Sequence, residues 1–410
     1  MLVARHFATG EWARVTIQGR TIDLVEPVSG LEEVRSDDLW VAPAFWDIQV
    51  NGRWGVSFSD ANLTPEKVAE IVRVQAMLGS ARVCPTLITA KSRALQSALK
   101  AIAKACEQDA VVGSMVVGVH VEGPYISQID GYRGAHPVEA VRDPDWDEFQ
   151  RLQEASGGRI VLMTLAPERH EAIEFITKAV ASGVKIAIGH TAADGPVLRE
   201  AAKVGATLST HLGNGIVSPL PRHPNPIWEQ AAIDALSASF IADGHHLDRS
   251  TIRVLVRAKG LSRAILVSDA SPLAGLPPGT YGNWAVHPSG KIVVAGTPYL
   301  AGSNQALEVG LNNLIAATDL SISEAFTTVT ANPARLLGKP EPRIEAAQAA
   351  NLIVFRRGDG NEPIKAQRVC VDGNWVEVRD NARSPWELPL PTEPPIAART
   401  VSLVSHDDKS

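Results

Sequence analysis

Glu122, His190, His211 and Asp269 are residue types that bind a divalent cation or move a proton. Each stands at the end of a short apolar run: "MVVGVHVEG", "VKIAIGH", "ATLSTHL" and "AILVSDA". Asp243, followed by His245 and His246, ends another, "ASFIAD". A further run, "WDIQVNG", carries Gln49 and Asn51 where a His-x-His pair would grip a metal. A single histidine at such a place is usually structural, but metal-competent groups recurring at the same place point to one shared site. The uncharged Gln49 and Asn51 raise the question of whether such a site has been lost or works with fewer metals.

The elements that must hold these residues follow from periodicity. Strand-like runs cover 42–50, 82–88, 115–123, 160–167, 184–190, 206–212, 238–243 and 264–270. They alternate with helix-like segments at 64–78, 92–107, 169–181, 196–204 and 249–259, the first opened by Thr64 as a cap and Pro65 in the first turn. Eight strands alternating with helices predict a (β/α)8 TIM-like barrel. An open doubly wound sheet is disfavoured because no G-x-G-x-x-G follows the first run. In a barrel the polar residues above share the carboxyl-end face, where such folds place their chemistry.

The flanks read differently. Residues 1–40 and 341–380 are rich in short β patterns, with a turn at "DGN", and predict one small β-sandwich domain built from both termini. Residues 41–340 are the barrel, and 381–410 form a Pro-rich tail. The 410 residues, 45% hydrophobic and 20% charged, suit a globular chain with a large core. A net charge of −6 offers no field for nucleic acid or a membrane surface. Cys84, Cys106 and Cys370 are widely spaced, so neither a disulfide framework nor a zinc ribbon is indicated. The sequence shows no signal segment or membrane span and reads as cytoplasmic.

The stretches "PAFWDIQVNG", "PTLIT", "HVEGPYIS", "IGHTAAD", "STHLGNGI", "IADGHHLD", "LVSDA" and "TANPARLLG" resemble, in order and over most of residues 40–340, the N-acetylglucosamine-6-phosphate deacetylase family of the amidohydrolase superfamily. The resemblance implies a metal-dependent hydrolase that removes the acetyl group of an amino sugar. It implies one tightly held divalent metal per subunit, zinc first, with iron, manganese or cobalt as alternatives. Its ligands fall on Glu122, His190 and His211, leaving a position open for water. Gln49 and Asn51 fall beside the metal or the substrate, because in these deacetylases Q-x-N replaces H-x-H without loss of activity. Asp269 falls on the catalytic aspartate, which takes a proton from water and returns it to the departing amine. His136 falls on the histidine that binds and polarises the substrate. His120, two residues before Glu122, alternates to the same face of its strand and reads as a support for the site rather than a ligand. The resemblance further implies substrate contacts from Asn214, Gly215, Arg222 and His246. It also implies a homodimer, in which an arginine commonly reaches the neighbour's ligand.

One segment and one residue depart from the family. "GNGIVSPLPRHPNPIWEQ" (213–230) is bulkier than usual and reads either as a rigid loop packing Trp228 into an interface or as a new binding surface. His245 replaces an apolar residue, and the Gly- and Pro-rich 271–290 reads as a lid. Arg222 and His246 are a thin set of donors for a phosphate. An amidohydrolase acting on another N-acyl or cyclic amide without phosphate therefore stands as the alternative. A non-catalytic sugar-binding derivative is opposed by the joint presence of Glu122, His190, His211 and Asp269.

Overall fold

The eight runs read as strands form one parallel sheet in the computed structural model, which describes residues 1–29, 39–357 and 363–378. The Pro-rich tail expected over 381–410 lies outside the described residues. The strands are Phe45–Val50, Ser80–Ile88, Val119–Glu122, Ile160–Leu165, Lys185–Ile188, Ala206–Ser209, Ser237–Phe240 and Ala264–Leu266, each paired with the next in sequence. The last meets the first just beyond their ends: Asp269 N donates to Gln49 O (3.0 Å) and Asn51 N to Ala270 O (2.9 Å). This seam closes the barrel and lays Gln49 and Asn51 directly against Asp269.

Most strands are shorter than the apolar runs that encode them, the last being Ala264–Leu266 alone. His190, His211 and Asp269 stand just past their strands with left-handed backbones, at φ 50°, 31° and 50°. The run 42–50 also divides. Leu39–Pro43 pairs with Leu2–His6 and Leu352–Arg356 in a second sheet, and only after Ala44 does the chain enter the barrel. Both halves are buried, so the apolar pattern does not mark the switch; Pro43, which has no N–H to donate, sits at it.

The barrel is solid. Ile48, Cys84, Leu162, Ala187, Leu208 and Ile265 form an apolar plug sealed by Leu337. Two residues further along their strands, on the same inward face, come Thr164 and Thr210. Thr164 Oγ1 meets His120 Nε2 at 2.7 Å and Thr210 Oγ1 at 2.8 Å, a polar belt beneath the strand exits. Outside lie the expected helices, Pro65–Met77, Ser92–Gln108, Ala172–Ala181, Gly195–Lys203 and Arg249–Lys259, with Thr64 Oγ1 accepting from Lys67 N. Among the described residues, no helix is long and apolar enough to cross a membrane.

The second sheet has seven strands drawn from both ends of the chain. Leu2, Ala4, Val15, Ile22, Val41, Leu352 and Cys370, on strands spread across it, share one core, and its far edge returns to bridge Thr21 with Ala349. The sheet thus folds over on itself. Its other face presents Ile353, Phe355 and Val369 to the barrel's core beside Phe45 and Phe326. The expected turn joins Lys365–Val371 to Asn374–Glu377 through Asp372 (φ 45°) and Gly373 (φ 86°), both left-handed as a two-residue hairpin loop requires. Asp372 accepts from Arg82 on the second barrel strand and from Arg20, each at 2.7 Å.

Candidate metal centre and active site

At the barrel mouth Glu122 Oε1 lies 3.2 Å from His190 Nε2 and 3.0 Å from His211 Nε2, and the two ring nitrogens are 3.1 Å apart. All three residues are buried. His190 Nδ1 donates to Tyr132 O (2.9 Å), which fixes the ring with Nε2 toward Glu122. One carboxylate and two imidazoles converging this closely form a donor set that fits a divalent cation. Burial pushes the Glu122 carboxyl up, but the flanking imidazoles outweigh it and hold the group well below the ordinary range. Gly215 (φ 60°) lies over His190, where an added Cβ would stand 2.9 Å from Nδ1; the position needs glycine for both conformation and space.

Gln49 and Asn51 act as donors. Gln49 Nε2 donates to Glu122 Oε1 (3.2 Å) and Asp269 Oδ1 (3.1 Å), and Asn51 Nδ2 donates to the same Asp269 oxygen at 2.6 Å. Imidazoles here would add lone pairs for a second cation; amides instead satisfy the carboxylates and fix the rotation of Asp269. Burial foremost, and then the charge of Glu122, push Asp269 up to about 6, a shift that a neighbouring cation would oppose. Asp269 lines the cavity at the mouth.

His136 stands beside this group, its ring 4.3 Å from that of His190. Thr89 N donates to Nδ1 (3.3 Å), so the neutral ring carries its proton on Nε2. Burial, then His190, push His136 down to about 3, keeping it neutral. One ligand atom each from Glu122, His136 and His190 lies within 4.8 Å of the others. His120 lies beneath, in the threonine belt, and does not line the cavity.

The cavity encloses about 240 Å³. Asn214, Gly215, Ile216, His246, Trp284 and Tyr299 line it. The expected lid is a small antiparallel sheet of Gly279–Tyr281, Trp284–Val286 and Ile292–Val294, with a core of Leu273, Leu276, Val286 and Ile292. Arg222 is exposed and does not line its own chain's cavity, which among the described residues carries no lysine or arginine. The 213–230 segment ends in a short helix, Pro226–Ala232, capped by Asn225, and Trp228 is 49% exposed. Sequence reasoning missed Thr89, the Tyr132 carbonyl, Trp284 and Tyr299. The first two act through contacts 47 and 58 residues distant in sequence, and the lid strands are too short to show a period.

Fold and centre together define a metal-dependent barrel hydrolase. Residues 40–376 match the model of the amidohydrolase family. N-acetylglucosamine-6-phosphate deacetylase of Bos taurus is 35% identical over 84% of this chain and 85% of its own length. The crystal structure of N-acetyl-D-glucosamine-6-phosphate deacetylase from Mycobacterium smegmatis superimposes with a TM-score of 0.80 at 29% identity, covering 91% of this chain and 99% of that one. An aspartate-to-alanine mutant of that enzyme, solved in complex with N-acetyl-D-glucosamine-6-phosphate, matches with the same score and identity over 92% and 98%. The chain belongs to the amidohydrolase family and, within it, to the N-acetylglucosamine-6-phosphate deacetylases, enzymes that hydrolyse a carbon–nitrogen bond.

Proposed function

We propose that this protein hydrolyses the acetamido group of N-acetylglucosamine 6-phosphate to acetate and glucosamine 6-phosphate. The observation that carries this reading is the convergence of Glu122, His190 and His211 opposite an Asp269 whose rotation is fixed by Asn51 and Gln49. Glu122, His190 and His211 would hold one divalent ion per subunit, zinc foremost, with iron, manganese or cobalt as alternatives. When bound, that ion supplies Lewis-acid polarisation of the amide carbonyl and acidifies a water. Asp269 accepts the water proton as its oxygen bonds to the carbonyl carbon, then delivers it to the nitrogen as the C–N bond breaks. His136 donates from Nε2 to the carbonyl oxygen, where negative charge develops. Asn214 and Gly215 border the sugar, and His246 meets its anionic end.

In this reading the enzyme is a homodimer in which Arg222 serves the neighbour's cavity. Its exposure, and the absence of lysine and arginine from the cavity lining of its own chain among the described residues, support that arrangement. The same lack of cations favours the second reading, an N-acyl substrate without phosphate. Acetate release from N-acetylhexosamines with and without a 6-phosphate, using protein of known metal content, separates them. A preference for the phosphorylated glucosamine derivative supports the first; equal rates on the unphosphorylated sugar support the second. No acetate from any member of the panel removes the first reading and leaves the second only for an amide other than an N-acetylhexosamine.

A further inference from the structure

We propose that Asp243 is a positioning residue that holds His246 through Nδ1 and supplies its counter-charge, so that its Nε2–H meets the anionic group of the substrate. This rests on the reading of the substrate as a sugar phosphate. Asp243 and His246 follow the seventh barrel strand, Ser237–Phe240, and both side chains are 5% exposed. Asp243 Oδ1 accepts from the backbone N–H of His245 (2.8 Å) and His246 (2.9 Å), tying the loop to the carboxylate. Its other oxygen, Oδ2, lies 2.9 Å from His246 Nδ1. That bond uses Nδ1 and leaves Nε2 for the cavity the ring lines.

Electrostatics make the pairing purposeful. No lysine or arginine lines this cavity among the described residues. The other imidazoles on its wall are engaged: His190 and His211 with Glu122, and His136 with Thr89. His246 is therefore the ring left to carry positive charge toward an anion, and a buried imidazolium needs a counter-charge to persist. Asp243 provides it. Burial pushes its carboxyl up, but the hydrogen bonds and charge of His246 outweigh that and hold it well below the ordinary carboxylate range.

Asp243→Asn tests this with little disturbance. The amide oxygen keeps both backbone bonds, while Nδ2 now faces His246 Nδ1 and donates to it. The ring is then neutral with its proton on Nε2, and the charge is lost but not the shape. The loss should appear in KM rather than kcat. KM for N-acetylglucosamine 6-phosphate should rise roughly tenfold to a hundredfold, the range of a charge-assisted hydrogen bond. KM for unphosphorylated N-acetylglucosamine should stay where it is. In an His246→Gln background, adding Asp243→Asn should cost nothing more, because the pair acts as a unit. An unchanged KM, an equal rise for both sugars, or additive losses in the double variant would each overturn the role given to Asp243. Failure of the wild-type protein to release acetate from the phosphorylated sugar would instead overturn the substrate reading.

Discussion

His190, His211 and Asp269 hold left-handed backbones that glycine adopts freely and other residues adopt at a cost of about 1–2 kcal/mol each. The surrounding hydrogen bonds fix them there, and each side chain is thereby swung from the strand axis over the barrel mouth. Gly215 completes the setting. Gly215→Ala should push on His190 Nδ1, disturb its bond to Tyr132 and weaken metal affinity roughly tenfold or more; a titration with a competing chelator measures this, and unchanged affinity would contradict it. Asp269→Asn should retain the metal and lower kcat by about 10²–10⁴-fold, measured as acetate release per bound ion. Equal turnover would exclude Asp269 as the proton carrier. The residue types of this centre were legible in the sequence because each ended an apolar run. The left-handed turns were not, since they are held by backbone partners far along the chain, such as Ser239 Oγ on His211 N and Ser127 N on His190 O.

Among the elements, the barrel was readable from alternation alone, and the eight strands lie within or beside the predicted runs. What periodicity missed was the change of sheet at Ala44, because two buried strands joined end to end look like one. The "DGN" turn, in contrast, was plain, since left-handed positions select such residues. Its aspartate also docks the terminal sheet on the barrel through Arg82. Burial pushes the Asp372 carboxyl up, but Arg82 outweighs it and holds the group at about 2. Folding thus lowers its value from the ordinary level of about 4. Its stabilisation is complete above that level and is lost as pH falls through about 2. Asp372→Asn should therefore lower stability by roughly 2 kcal/mol near neutral pH, read from urea midpoints, with the difference from wild type shrinking in acid. A gap independent of pH would show that the charge is not what matters.

For the whole molecule, the proposed metal centre joins side chains from three separate strand exits, so an ion bound there would stabilise the entire barrel by mass action. Zinc added to chelator-stripped protein should raise Tm with ion concentration, and Glu122→Gln should abolish the rise. A Tm shift that survives this change would place the ion elsewhere. The dimer proposal has its own test. Arg222→Ala and Asp269→Asn proteins, each impaired alone, should regain activity when mixed under exchanging conditions, because one cavity of the hybrid then contains both native residues. No recovery, with exchange verified by mass, would show that Arg222 serves its own chain or none.

The seam between the first and last barrel strands carries a consequence for biosynthesis. Glu122, His190 and His211 leave the ribosome well before Asp269, which reaches its place only when residues 269 and 270 dock on Gln49 and Asn51. A nascent chain paused short of that point could gather the three proposed cation ligands but would lack Asp269. In the proposed mechanism, chemistry therefore begins only once the cylinder is shut.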